Sequence, residues 1–140
     1  IYFDEPGSIL ASKFNRDVSR LNRKFDQSEE VDFISLDKFC RENDIEYIDF
    51  LKIDVEGNEI NVLKGANELL SQRRIKAISF EFGSPQIDSR TFFKDIYFYL
   101  IHYGLKKLFR ITPGGYLKPI DSYDENLENF FTSNYLAIMN

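Results

Sequence analysis

The chain has 140 residues, the size of one domain, and 43% of them are hydrophobic, which is ample for a core. A net charge of -5 argues against nucleic-acid binding through a basic surface. No apolar run reaches the roughly 18 residues that a membrane-spanning helix needs, and no signal-peptide pattern opens the chain.

The core is drawn disproportionately from 14 phenylalanines and 8 tyrosines, with no tryptophan. Cys40 is alone, so no internal disulfide framework is expected; a reducing, cytoplasmic compartment fits this. Cys40 itself reads as a small buried apolar residue on a helix.

Ile1-Tyr2-Phe3 reads as strand from the first residue, without an initiating methionine. It is followed by a turn signal at Glu5-Pro6-Gly7-Ser8 and a second apolar patch at Ile9-Leu10-Ala11. Both patches are too short for an independent sheet and read as the tail of something that begins upstream. Asn15 to Glu30 is polar, with Arg16, Arg20, Arg23 and Lys24 ahead of Asp26, Glu29 and Glu30. It reads as a solvated excursion, so residues 1–30 form an irregular lead-in.

Residues 31–140 carry the regular pattern. A short strand is expected over Glu30 to Ile34, with Ser35 capping a helix from Leu36 to Glu42. The central strand follows, Tyr47 to Val55, favoured by its β-branched and aromatic content. Asn58 then caps a helix running to about Gln72, whose inner face is Ile60, Leu63, Ala66 and Leu70. Gly65 inside it costs about 1 kcal/mol relative to alanine, which close approach of the helix to the sheet would explain. Arg73 and Arg74 suit the helix end. Ile75 to Phe82 is the next strand, completing a βαβ unit with a parallel crossover. A second helix, Ser89 to Tyr103, is apolar nearly all round and ends at Gly104. Leu105 to Thr112 is a strand, Pro113-Gly114-Gly115 a turn, and Asp121 to Phe131 an acidic loop or short helix. Asn134 to Met139 is a last strand, which pairs with Leu108 to Ile111 as a late antiparallel edge.

The stretch Lys52-Ile53-Asp54-Val55-Glu56-Gly57 is where chemistry is expected. Side chains alternate along a strand, so Lys52 and Asp54 share one face and Ile53 and Val55 the other. Glu56 lies just past the strand end, Glu59 lies in the first helical turn, and Glu81 ends the neighbouring strand. Asp54, Glu56 and Glu81 therefore converge at the carboxyl edge of a parallel pair, where such sheets bind ligands. The competing arrangement pairs Lys52 with buried Glu81, leaving Asp54 and Glu56 as helix caps. Three carboxylates suit a hard cation such as magnesium, but the single histidine, His102, lies on a distant apolar helix, and no metal is assigned. The glycines give neither G-x-G-x-x-G nor G-x-x-x-x-G-K, and there is no G-x-S-x-G elbow.

Ile48-Asp49-Phe50-Leu51-Lys52-Ile53-Asp54-Val55-Glu56-Gly57-Asn58-Glu59, followed by Val62-Leu63-Lys64-Gly65-Ala66, closely resembles the signature of the FkbM-type methyltransferase family. Ile34-Ser35-Leu36-Asp37 resembles that family's preceding segment, Phe80-Glu81 its next strand and Asn134-Tyr135-Leu136-Ala137 its closing strand. The resemblance covers the chain from about Val31 onward. It implies the C-terminal portion of a Rossmann-like domain, α/β with a mostly parallel sheet and one late antiparallel strand, so that residues 1–140 form a single partial domain. It also implies S-adenosylmethionine as cofactor and methyl transfer to a hydroxyl of a sugar or other small-molecule acceptor. The family's glycine-rich donor loop has no counterpart here and would lie upstream of Ile1, which would leave this piece inactive alone. By the resemblance Asp54 lies near the methyl donor and acceptor, Glu56 and Glu81 hold or deprotonate the acceptor, and Lys52 is scaffolding.

Two other readings compete. One is a degenerate non-catalytic α/β interaction module, suggested by the aromatic helix Phe92 to Tyr103. The other is a nucleotide-dependent α/β enzyme, disfavoured by the lack of a phosphate loop. An exposed sheet edge and apolar helix would favour homo-oligomers. Partners on the first reading are a small acceptor, with neither nucleic acid nor membrane.

Overall fold

Alternation along Ile75-Lys76-Ala77-Ile78-Ser79-Phe80-Glu81-Phe82 decides which side of the sheet is closed. In the computed structural model, which describes Ile1 to Asn140, Ile78, Phe80 and Phe82 are fully buried on one face. Their strand neighbours on that face are Leu51, Ile53, Ala137 and Tyr135.

The elements in order are β1 (Tyr2–Phe3), β2 (Gln27–Ser28), α1 (Leu36–Glu42), β3 (Ile48–Ile53), α2 (Glu59–Lys64), α3 (Asn67–Ser71) and β4 (Ile75–Phe82). They continue with α4 (Pro85–Ser89), α5 (Phe93–His102), β5 (Lys107–Ile111), β6 (Leu117–Ile120) and β7 (Ser133–Ile138). The main sheet has the order β3-β4-β7-β5-β6, and β1 with β2 makes a separate antiparallel ribbon.

The protein is therefore mixed α/β. Parallel pairing is confined to β3 and β4, while β4–β7, β7–β5 and β5–β6 are antiparallel. This corrects the expectation of a mostly parallel sheet. The reason is the position of β7, which inserts between β4 and β5 rather than lying at an edge. By these pairings β3, β4 and β5 all run in one direction, and β7 and β6 in the other. The edges are instead β3, expected from the sequence as the central strand, and β6, a strand concealed in the sequence by Pro119 and by the exposed Leu117 and Lys118. Proline belongs on such an edge because it offers no ladder donor.

One core cluster joins the closed sheet face to Ile60, Leu63, Leu69 and Leu70 of α2 and α3 and to Phe93, Ile96, Tyr97 and Leu100 of α5. Its centre is aromatic. Phe93 lies against Tyr135 at 4.7 Å and edge-on to Phe82 at 5.4 Å, while Phe80 stacks on Tyr135 at 5.4 Å. Offset and edge-on rings of this kind gain about 0.5–1.5 kcal/mol beyond burial. The other face is more open. Phe50, opposite Ala77, is 58% exposed, and Lys52 stands opposite Ser79.

Several local expectations hold and others shift. Ser35 caps α1, accepting from the Lys38 amide at 3.2 Å. The helix expected from Asn58 to Gln72 is two, α2 and α3, broken at Gly65 and Ala66. Gly65 meets the N-cap of α1 rather than the sheet: a Cβ there would sit 3.4 Å from Ser35 Cα. Asp37 then caps α3, accepting from the Glu68 and Leu69 amides at 2.9 and 3.0 Å. The helix expected over Ser89 to Tyr103 is α5, which starts later, at Phe93; α4 is a separate short helix ahead of it. Glu128 accepts from the Phe93 and Lys94 amides at 2.7 and 2.8 Å, tying the start of α5 to the acidic stretch. No strand forms over Glu30 to Ile34, and Phe33 and Ile34 are exposed.

The aromatic centre is the packing on which the sheet and α5 jointly rely. Phe93→Ala is expected to lose about 3–5 kcal/mol, the range for emptying a large aromatic site. Phe98→Ala, half exposed on the same helix, is expected to lose under about 1 kcal/mol. Urea unfolding midpoints of the two variants check this contrast.

Candidate active site

β3 ends at Ile53, and the chain leaves it through a turn that ordinary residues resist. Glu56 has φ 50° and Gly57 φ 100°, two successive left-handed residues of which only the glycine is unstrained. The turn is held by the buried carboxylate of Glu59. Its Oε1 accepts from the Val55 and Gly57 amides, each at 3.2 Å. Its Oε2 accepts from Gln86 Nε2 at 2.5 Å, and Gln86 Oε1 in turn accepts from the Gly83 amide at 2.7 Å. One chain of polar contacts thus joins the turn after β3 to the turn after β4. The backbones also touch: a Cβ on Gly57 would sit 2.8 Å from the Pro85 carbonyl oxygen.

Glu59 is 1% exposed. Burial pushes its carboxyl upward, against the hydrogen bonds to its own, Gly57 and Val55 amides and to Gln86, which pull it down. Asn58, expected as the cap of α2, makes no side-chain cap; its Oδ1 accepts from Asn61 Nδ2 at 2.8 Å. Glu59 takes over the satisfaction of the turn.

Asp54, Glu56 and Glu81, the three residues singled out from the sequence, each present a carboxylate oxygen within 4.8 Å of the other two. Asp54 is exposed, and Glu56 and Glu81 are half-buried. The competing Lys52–Glu81 ion pair does not form. Lys52 Nζ donates to Asn134 Oδ1 at 2.9 Å and lies 3.4 Å from Asp54 Oδ2. Asn134 stands opposite Glu81 on β7, so Lys52 reaches across β4. Glu81 is left without an ion-pair partner. Burial, then the charges of Asp54 and Glu56, push its carboxyl above the usual glutamate range, and Lys52 only partly offsets them.

A fourth participant comes from the lead-in. Arg16, expected as part of a solvated excursion, has a side chain only 4% exposed and forms an ion pair with Glu56 Oε2. Its Nε lies 3.6 Å from Asp88 Oδ2 on α4. Nearby, Ser12 Oγ donates to the Glu56 carbonyl at 2.7 Å, and Arg20 donates to Ser84 Oγ. No periodicity in the chain identifies this; the one signal is a cluster of arginines ahead of an acidic strand end.

The sequence model of the Methyltransferase FkbM domain matches residues 3–110. The chain belongs to the FkbM methyltransferase family. No curated protein and no solved structure matches it. The family match takes in all three carboxylates, Glu59, Gln86 and the lead-in arginines; β6 and β7 of this FkbM domain lie beyond it. No helix is long and apolar enough to cross a membrane.

Two substitutions separate charge from scaffold in this domain. Glu81 binds its proton more tightly in the folded chain, so stability is greatest below its ordinary value of 4.5 and falls as pH rises through the folded midpoint. Glu81→Gln is expected to flatten that decline, raising neutral-pH stability relative to the parent. Glu59→Gln is expected to lose about 1–3 kcal/mol, because its amide would turn a donor toward Gln86 Nε2. Urea titrations from about pH 4 to about pH 8 read both effects.

Proposed function

We propose that this FkbM domain catalyses S-adenosylmethionine-dependent methylation of a hydroxyl oxygen on a small-molecule acceptor such as a sugar. The observation that carries the reading is the convergence of Asp54, Glu56 and Glu81 at the carboxyl ends of the two parallel strands. Of the three, Asp54 has Lys52 beside it and Glu56 has Arg16, while Glu81 has no ion-pair partner. The site is thus anionic and half-buried, which fits the positively charged methionyl end of the donor. Asp54, the most exposed of the three, is the residue that would hold that end.

S-adenosylmethionine, when bound, supplies an electrophilic methyl group on a sulfonium. The chain's own residues handle the acceptor. Glu81 accepts a hydrogen bond from the acceptor hydroxyl and takes its proton at a carboxylate oxygen as the oxygen becomes nucleophilic. Its raised proton affinity narrows the gap to the hydroxyl, which is the direction a general base needs. Glu56, fixed by Arg16, positions the acceptor. Lys52, itself anchored on Asn134 across β4, holds Asp54 in place.

A specific observation favours one alternative. Phe50 and Phe92 are more than half exposed, which suits an interaction module or a homo-oligomer built on those surfaces. Calorimetry of the full-length protein with S-adenosylmethionine separates the two readings, since the module would give no binding heat.

With a methyl-labelled donor and a panel of hydroxylated small molecules, Glu81→Gln is expected to lower turnover by about 10²–10⁴ while keeping donor affinity. Asp54→Asn is expected to weaken donor binding instead. Undiminished turnover in Glu81→Gln would remove the base assignment.

A further inference from the structure

We propose that residues 12–20 form a positioning strap across the two turns beside the carboxylate cluster, and that Arg16 acts through Glu56 to fix the charge facing Glu81. The inference rests on the reading of Glu81 as the proton-accepting group and extends it to a residue some forty positions from the strand end.

The geometry is that of a bridge. At one end Ser12 Oγ donates to the Glu56 carbonyl at 2.7 Å, pinning the backbone of a left-handed residue. In the middle Arg16 ties the Glu56 carboxylate while its Nε faces Asp88 of α4 at 3.6 Å. At the far end Arg20 donates to Ser84 Oγ, in the turn that leads from β4 into α4. The strap therefore touches both loops that leave the parallel strands. A solvated excursion would leave its arginines in water. Here the Arg16 side chain is as enclosed as a core residue, and its Nε–H makes no hydrogen bond. Burying a guanidinium that incompletely is costly, and a fixed carboxylate partner is what compensates it.

Fixing Glu56 matters because Glu56 is one of the charges that Glu81 senses. The charged groups facing Glu81 are Lys52 from β3, Asp54 just past its end, Glu56 from the turn and Glu59 from α2; β7 contributes the neutral Asn134 opposite it. Arg16 reaches this set by its contact with Glu56, and Asp88 is its second partner. A guanidinium on Glu56 partly cancels the repulsion that Glu56 exerts on Glu81. Arg16 is in this sense a positioning residue: it touches neither donor nor acceptor.

The test is the carboxyl titration of Glu81, followed by carbon-detected NMR on the full chain without donor or acceptor. Arg16→Met is expected to raise the Glu81 midpoint by about half a pH unit or more, because Glu56 then faces it uncompensated. Arg16→Lys, which keeps the cation and loses the fork, is expected to restore part of that shift. Glu56→Gln is expected to lower the midpoint, and in that background Arg16→Met should move it less than half as far. A Glu81 midpoint unchanged by Arg16→Met overturns the proposal, as does an equal shift with and without Glu56. If Arg16→Met does not fold, Ser12→Ala decides: the Gly57 amide is expected to exchange about tenfold faster, and an unchanged rate overturns the strap. Because these readouts need no methyl transfer, their failure would remove the strap alone. Failure of the base assignment would show separately, as full turnover in Glu81→Gln.

Discussion

The carboxylate of Glu59 is the constraint on which the acidic cluster depends. It lies at the start of α2, where unpaired amides and the helix dipole both favour negative charge. Instead of capping its own helix in the usual way, it satisfies the Val55 and Gly57 amides of the turn before it. Through Gln86 it reaches the turn after β4 as well. The polar groups of two loops thereby converge on one buried residue. The left-handed pair Glu56 and Gly57 persists because that network over-determines it, and the pair in turn sends the Glu56 carboxylate toward Asp54 and Glu81.

Much of this arrangement was legible in the chain. The β-branched and aromatic runs at 47–55 and 75–82 gave both parallel strands, the first of which is shorter in the structure, and alternation placed Lys52 with Asp54. The convergence of Asp54, Glu56 and Glu81 followed from a short βαβ connection alone. What sequence pattern left hidden has a common cause: contacts between residues far apart in the chain. Nothing in the local composition of Asn15 to Glu30 says that Arg16 is enclosed, since its partner Glu56 lies forty residues on. The order of the sheet was equally out of reach. A strand's neighbours are chosen by tertiary packing, so Ser133–Ile138 read as an edge although it lies between β4 and β5. Glu59 was visible as a helix-start acid, but the turn it satisfies could be seen only once Glu56 was known to be left-handed.

The two faces of the sheet divide the labour. The closed face, with Phe80, Phe82, Phe93 and Tyr135, supplies most of the burial and fixes where β4 and β7 lie. The opposite face carries Lys52, Glu81 and Asn134 in adjoining strands and keeps them near solvent. Period-two alternation separates apolar stabilisation from charge on the same backbone, so the acidic cluster does not have to be carved out of the core. Glu59 and Arg16 are the charged side chains that are nonetheless enclosed, and both are engaged by groups that follow the two parallel strands.

The central place of β7 has a consequence for how the protein comes to be made. Translation delivers β3, β4, β5 and β6 before Ser133–Ile138, yet β4 and β5 bond to β7 and not to each other. Until that segment leaves the ribosome, a nascent chain holds two strands with open ladders flanking an unfilled slot. Asn134, which anchors Lys52, arrives with the same segment. Assembly of the sheet and final organisation of the acidic cluster are therefore one late event. The interval before it is when this chain is most exposed to mispairing with another copy.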